Sequence, residues 1–301
     1  METLFLINPG SGRKRDANET VEMIQKVYQE AERPVVTRLI NFDLLDQMLE
    51  EAIASGAKHI FAVGGDGTVN AIGSRLVNKP VSFGIIPKGS GNGYARNLGY
   101  SINTRLAIKQ SIDASPVLVD TGTFNEIPFL NVAGVGLDAE VAQAFSLRKR
   151  RGFLSYVQSS AERILAYKPQ TYRMVIDGKE KEFNNILGVA VANGTQWGYD
   201  AKVSSGASLT DGVLDLLIVH QFPLIKVGLI VRKMFNGQFH DSKYVEFFQV
   251  KRIDIYREDE GYAQIDGEPF SAKEEIRIRI KEKNLSLLLP NTLTEKKIEQ
   301  I

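Results

Sequence analysis

An α/β N-terminal domain with a parallel, doubly wound sheet, followed by a β-rich, antiparallel, sandwich-like second domain, is the fold class that the sequence predicts. Three observations predict it. Apolar strand-like runs alternate with helix-like periodicity over the first third of the chain. Three of those runs end in glycine-rich turns. After about residue 115 the texture changes to short runs separated by turn signals. A chain of 301 residues is long enough for two domains with separate cores. The expected division is 1–125 and 126–290, with the tail 291–301 packing back on the first domain and the active site in the cleft between the two.

The elements follow in order. "TLFLIN" reads as a buried strand, "DANETVEMIQKVYQEA" as a helix and "PVVTRLI" as a second strand. "DLLDQMLEEAIASG" is a helix stopped by Gly56, which tolerates the left-handed conformation of a helix end. "HIFAVGG", "TVNAIGSRLV" and "VSFGIIP" supply a third strand, a helix and a fourth strand. Strands separated by helices of this length argue for a parallel sheet covered on both faces. In the second part, "VLVDTGTFNEIPFLNVAGVGL" holds two short strands joined around "FNEI", and "TYRMVIDGKEKEFNNILGVAVANG" a hairpin with a type I′ turn at Asp177-Gly178. Further strands follow, interrupted by helices near 153–167 and 223–236.

Composition narrows the classes. The apolar fraction of 43% and charged fraction of 24% are those of a globular protein. A net charge of +1 gives no long-range field toward nucleic acid, and none is expected as a partner. With no cysteine there are no disulfides or thiolate metal sites, which fits a reducing cytoplasm. His59, His220 and His240 match no zinc spacing. The first residues are too short an apolar run for a signal peptide, and no stretch reaches the roughly 18–20 apolar residues of a spanning helix. A soluble protein is expected.

In a parallel sheet ligands bind at the carboxyl ends of the strands, so the turns there carry the functional signal. "NPGSGRK" offers the backbone N–H groups of Gly10, Ser11 and Gly12 ahead of Arg13, Lys14 and Arg15. "GGDGT" places Asp66 among Gly64, Gly65 and Gly67. "PKGSGNGYARNLG" repeats the glycine pattern between Lys88 and Arg96. Each alone is equally a plain strand-to-helix turn. Three at one sheet edge make a cradle for phosphates, because successive N–H groups and helix N-termini attract anions. None is a Walker A loop or a hydrolase elbow: the chain's one Gly-Lys pair is followed by Glu180, and Ser90 lacks the glycine two residues before it. "NVAGVGLDAEV" imitates a dinucleotide fingerprint, but the acidic residue about 20 positions on is missing, so a tight connection is expected there. "TDGVLD" and "QIDGEPF" read as Asp-Gly turns, the second with the paired carboxylates Asp266 and Glu268 that could serve as base or metal ligand.

Taken together, "NPGSG", "VGGDGTVNAI", "PKGSGNGYARNLG", "NVAGVGLDAEV", "TDGVLDLLIV" and "QIDGEPF", in this order over about residues 3–290, resemble the diacylglycerol kinase catalytic domain family of bacterial lipid kinases and sphingosine kinases. The resemblance implies ATP-dependent phosphorylation of a lipid hydroxyl. It implies that Asn8, Pro9, Gly10, Ser11, Gly12, Gly64, Gly65, Asp66, Gly67, Thr68, Ser90, Gly91 and Asn92 bind the nucleotide in the first domain. Asp66 and Glu268 would serve the catalytic Mg²⁺, Asp211 a structural Mg²⁺ in the second domain, and Asp266 would activate the acceptor hydroxyl. The "GSGNG" spelling is nearer to sphingosine kinases than to most diacylglycerol kinases, which leaves the acceptor lipid open. The expected partners are ATP and a lipid at a membrane surface, with peripheral contact at the inner face of a cytoplasmic protein and a homodimer left open. "LRKRRGFLSYV", with Arg148, Lys149, Arg150 and Arg151 beside Phe153, Leu154 and Tyr156, is the segment expected to touch anionic headgroups. The competing readings are an NAD kinase-like enzyme with a soluble acceptor and a non-catalytic nucleotide-binding module.

Overall fold

The computed structural model describes residues 2–12, 16–148 and 152–291. Among the described residues the chain divides into two compact units, one taking residues up to Val119 and 283–291, the other Asp120–Glu282.

The first unit alternates strand and helix: β1 (Thr3–Ile7), α1 (Asp16–Glu30), β2 (Val36–Leu39), α2 (Leu45–Ala54), β3 (His59–Gly64), α3 (Asp66–Leu76), β4 (Ser82–Pro87), α4 (Gly93–Asn97) and α5 (Thr104–Ile112). β1, β3 and β4 are apolar along almost their whole length because helices cover both sheet faces. All pairings are parallel, in the order β4-β3-β1-β2. The chain goes from β1 outward to β2 on one side and to β3 on the other, which makes the gap between the carboxyl ends of β1 and β3 the topological switch point. Gly56 ends the second helical segment at φ 82°, as its place in the sequence predicts.

The second unit holds β5 (Ser115–Phe124, whose first residues belong to the first unit), β6 (Ile127–Phe129), β7 (Val132–Gly136), α6 (Leu137–Ser146), α7 (Phe153–Ala166), β8 (Gln170–Ile176), β9 (Lys179–Ala192), β10 (Gln196–Gly198), β11 (Ala201–Lys202), β12 (Leu214–His220), α8 (Val227–Phe235), β13 (Val245–Val250), β14 (Arg252–Tyr256), β15 (Gly261–Ile265), β16 (Glu268–Ala272) and the first part of β17 (Glu275–Leu289, whose residues from Lys283 belong to the first unit). Its pairings are antiparallel. β9 is long enough to pair with β8 through its first half and with β7 and β12 through its second. Alternate residues of these strands point to opposite faces. Ala133, Val135, Val189, Val191, Leu216 and Ile218 enter one apolar core, which also takes Tyr172, Ile253 and Ile276. Val132, Ala190, Ala192 and Leu217 enter a second, beneath Ile230 of α8. Asp177 (φ 47°) and Gly178 (φ 86°) form the hairpin turn between β8 and β9.

The sequence does not announce the course of β17. Its first part pairs antiparallel with β14, while Ser286 and Leu287 pair in parallel with Ser82 and Phe83 of β4. The first unit's parallel sheet therefore takes its fifth strand from near the end of the chain. The Tyr100 hydroxyl donates to the Leu288 carbonyl at 2.7 Å, and Leu285, Leu287 and Leu288 are buried. Ser115 Oγ reaches Asn291 Oδ1 at 3.0 Å; the rest of the tail, 292–301, lies outside the described residues. Truncating the fully buried Leu287 removes apolar contacts and opens a cavity, so Leu287→Ala should lower stability by about 2–5 kcal/mol, read as a lower urea midpoint at unchanged slope.

Candidate nucleotide and phosphoryl-transfer site

Three turns leave the carboxyl ends of β1, β3 and β4, and hydrogen bonds stitch them together. Asn8 Nδ2 donates to Thr68 Oγ1 at 2.8 Å across the switch point, while its Oδ1 accepts from Gly10 N–H at 2.8 Å. The Lys88 N–H donates to the Gly64 carbonyl at 2.7 Å. Asp66 Oδ1 accepts from the Tyr94 N–H at 3.3 Å, which ties the second turn to the third. Within the third turn Asn92 bonds both ways with Gly89, Oδ1 accepting its N–H at 2.8 Å and Nδ2 donating to its carbonyl at 2.9 Å. Asn92 holds a left-handed conformation (φ 50°), which asparagine tolerates better than most residues.

The glycines answer to backbone crowding. A Cβ at Gly89 would stand 2.5 Å from Gly65 Cα, and one at Gly64 would stand 2.5 Å from Thr68 Cβ. Two main chains thus touch where side chains would hold them apart. α3 begins directly after this contact, and its N-cap Gly65 has no side chain to cap it. Lys88 Nζ donates to Thr20 Oγ1 of α1, which sets a cation beside the cradle. Pro9, Gly10, Gly12 and Ser90 are exposed, Ser11, Gly67 and Gly91 half-buried, and Gly12 lies at φ 78°. Arg13, Lys14 and Arg15 lie outside the described residues.

In the second unit the structure shows a connection that the sequence hides. Asp266 sits at the β15–β16 turn with φ 49°. Its carboxylate accepts three backbone N–H groups, from Leu130 at 2.9 Å, Asn131 at 2.8 Å and Val132 at 3.0 Å. Asn193 Nδ2 donates to the carbonyls of Leu130 and Asp120, each at 2.9 Å. The buried Asp120 in turn accepts the Gly212 N–H at 2.8 Å, beside Asp211. "QIDGE" and "TDGVLD" are therefore two ends of one hydrogen-bonded chain. Asp120 and Asn193 were not singled out from the sequence, where a lone Asp or Asn on a strand carries no signal. Glu268, two residues beyond Asp266, is exposed.

Asp211 is exposed, with Oδ1 accepting the Val213 N–H at 3.1 Å. Partial burial raises its carboxyl above the ordinary value, the Val213 N–H opposes this, and the charges of Asp215 and Asp120 add to the rise. A cation would relieve that repulsion. Among the described residues no three His, Cys, Asp or Glu side chains come together as a metal cage. A Mg²⁺ here would therefore rest on the single Asp211 carboxylate, with water completing its shell.

Gly134 and Gly136 stand where β7 turns into α6. A Cβ on Gly134 would lie 2.5 Å from Asp138 Oδ2 and 2.7 Å from the Val189 carbonyl, so close packing accounts for the glycine. Asp138 accepts from Gln264 Nε2 at 3.1 Å, and burial pushes its carboxyl up to about 7. The sequence reading passed over it as part of a tight connection.

An α/β unit with glycine-rich turns at its switch point is followed by an antiparallel unit that carries Asp266 and Glu268 at a turn. Residues 2–124 match the diacylglycerol kinase catalytic domain, and 131–289 match the YegS C-terminal NAD kinase beta sandwich-like domain. The chain belongs to the diacylglycerol kinase catalytic domain family of YegS-like lipid kinases. It is 28% identical over 230 residues to a protein of Chromohalobacter salexigens named "probable lipid kinase YegS-like", covering 74% of this chain and 73% of that one. It is 25% identical over 270 residues to the diacylglycerol kinase of Bacillus subtilis, covering 88% of each. A crystal structure of a diacylglycerol kinase from Bacillus anthracis superposes with a TM-score of 0.74 at 21% identity, covering 97% of this chain and 98% of that one, which bears on the fold.

Gly89→Ala forces the third turn off Gly65 and should weaken nucleotide binding at least ten-fold while the melting temperature falls only modestly, measured by calorimetric titration and thermal unfolding. Equal affinity in the variant would separate the turn contact from the binding site.

Proposed function

We propose that the protein transfers the γ-phosphate of ATP to a hydroxyl of a lipid. The observation that carries this reading is the stitched set of three glycine-rich turns at the switch point, in a chain of the lipid kinase family. Backbone N–H groups of the turns from Asn8–Gly12, Gly64–Thr68 and Ser90–Asn92 bind the phosphates. Bound Mg²⁺ would neutralise charge on the transferred group. Asp66 is the residue to hold it or its waters: a carboxylate set among phosphate-binding amides repels the phosphates unless a cation intervenes. Asp211 holds a second, structural Mg²⁺.

Proton removal from the lipid hydroxyl falls to the "QIDGE" turn. Three acceptor positions of Asp266 are already filled by backbone N–H groups, which suits it to fixing the turn. Glu268, exposed and two residues on, is the better placed of the two to accept a proton, with Asp266 positioning it. The family description of the second half also names NAD kinase, so NAD belongs among the acceptors tested.

Transfer from labelled ATP to diacylglycerol, sphingoid bases, phosphatidylglycerol and NAD should label a lipid and leave NAD unlabelled. Asp66→Asn, in a turn shaped by glycine, should stay folded and lose at least 10²-fold in Mg²⁺-dependent kcat; wild-type turnover would remove Asp66 from the site. For the second unit, Glu268→Gln should lower kcat by roughly 10²–10⁴ with ATP affinity nearly unchanged. Asp266→Asn leaves a donor facing the Leu130 N–H and should lower stability by about 1–3 kcal/mol. Full activity in Glu268→Gln, with kcat lost in an Asp266→Asn protein that melts normally, would exchange the two roles.

A further inference from the structure

A short helical arm in the second unit carries apolar side chains on its outside. A 3₁₀ turn, Leu224–Lys226, follows Pro223 and leads into α8. Ile230 is buried and Met234 packs behind it, both against the core of Val132, Ala190, Ala192 and Leu217. That fixes the inner face of the helix, and the exposed side carries apolar residues as well. Ile225 is 88% exposed, Leu224 56% and Leu229 47%, with Val231 also exposed. In water these side chains gain nothing by pointing outward.

Charge says what would cover them. Residues 221–240 contain Lys226, Arg232 and Lys233 and no Asp or Glu, in a chain whose acids and bases are almost equal in number. Lys226 and Arg232 are exposed among the outward apolar groups, and Lys233 Nζ reaches the Asp241 carbonyl at 3.2 Å. A second copy of the chain is a poor occupant. A two-fold contact sets the same patch against itself and would bring cations onto cations with no acid in the arm to meet them. Apolar tips level with cations suit the boundary between anionic headgroups and acyl chains, where the tips are buried and the cations keep phosphate contacts.

We propose that the arm Leu224–Phe235 docks the protein on an anionic lipid surface, with Leu224, Ile225 and Leu229 inserted and Lys226 and Arg232 at the headgroups. This adds a surface to the lipid kinase reading on which it rests, and it is separate from the segment at 148–156, of which residues 149–151 lie outside the described residues.

The full chain would be sedimented, without nucleotide, with vesicles of phosphatidylcholine alone or of phosphatidylcholine and phosphatidylglycerol at 3:1, in about 0.1 M salt. Each cation near an anionic surface raises partitioning about five-fold. Replacing Lys226 and Arg232 by Gln should therefore cut binding to the anionic vesicles on the order of 25-fold. Ile225→Gln, at a side chain almost wholly in water, should keep the wild-type melting curve and lose at least five-fold in binding. Wild-type vesicle binding in both variants would overturn the proposal, as would a wild-type protein that ignores anionic vesicles. A wild-type dimer that Ile225→Gln converts to monomer in sedimentation velocity would overturn it in favour of a self-contact. Failure of phosphoryl transfer to every acceptor would strike the kinase reading and leave the vesicle result standing.

Discussion

Gly65 and Gly89 touch main chain to main chain, and the geometry of the first unit's carboxyl edge depends on that contact. Any Cβ at Gly89 would separate the turns after β3 and β4. The bonds from Lys88 to the Gly64 carbonyl and from Tyr94 to Asp66 would then lengthen together, because all four groups sit within a few residues of the contact. The turn after β1 joins the assembly through Asn8 and Thr68. Three turns on three strands are thus tied into one assembly, which in the proposed function presents backbone amides to the phosphates. Preorganised amides need no rearrangement when charge develops on a transferring group.

The second unit solves a different problem, holding carboxylates in place at turns. Asp266 is anchored to 130–132, that segment to Asn193, and Asn193 to Asp120, which reaches the turn of Asp211. All of these bonds join side chains to backbone, so they fix where the main chain runs as well as where a carboxylate points. Each buried group in such a chain is costly to leave unpaired.

Much of this was legible in the sequence for local reasons. The alternation of apolar strands and periodic helices is a property of neighbours within fifteen residues, and so are Gly56 as a helix stop and Asp177-Gly178 as a hairpin turn. α5 was missed although its signal was present: Asn103 precedes it, and its side chain accepts the Leu106 N–H at 3.1 Å as a helix cap does. Other features were not legible because nothing local encodes them. The link between Asp266 and Asn131 spans 135 residues, and that from Gly212 to Asp120 spans 92. A turn aspartate held by backbone amides and one free to take a proton are spelled alike. The parallel pairing of β17 with β4 falls in the same class, since a run such as "LSLLLP" states that it is buried and says nothing of its neighbour.

That late strand has a bearing on how the chain is made. Ser82 and Ser286, whose hydroxyls meet at 2.9 Å, are 204 residues apart. At about 5–20 residues per second, a ribosome needs on the order of 10–40 s to travel from one to the other. During that interval the amides and carbonyls along one side of β4 have no strand to pair with, and an open edge of an apolar sheet invites pairing with other chains. The parallel sheet is translated early but completed only when residues 286–287 arrive, so its maturation waits on a segment far along the chain.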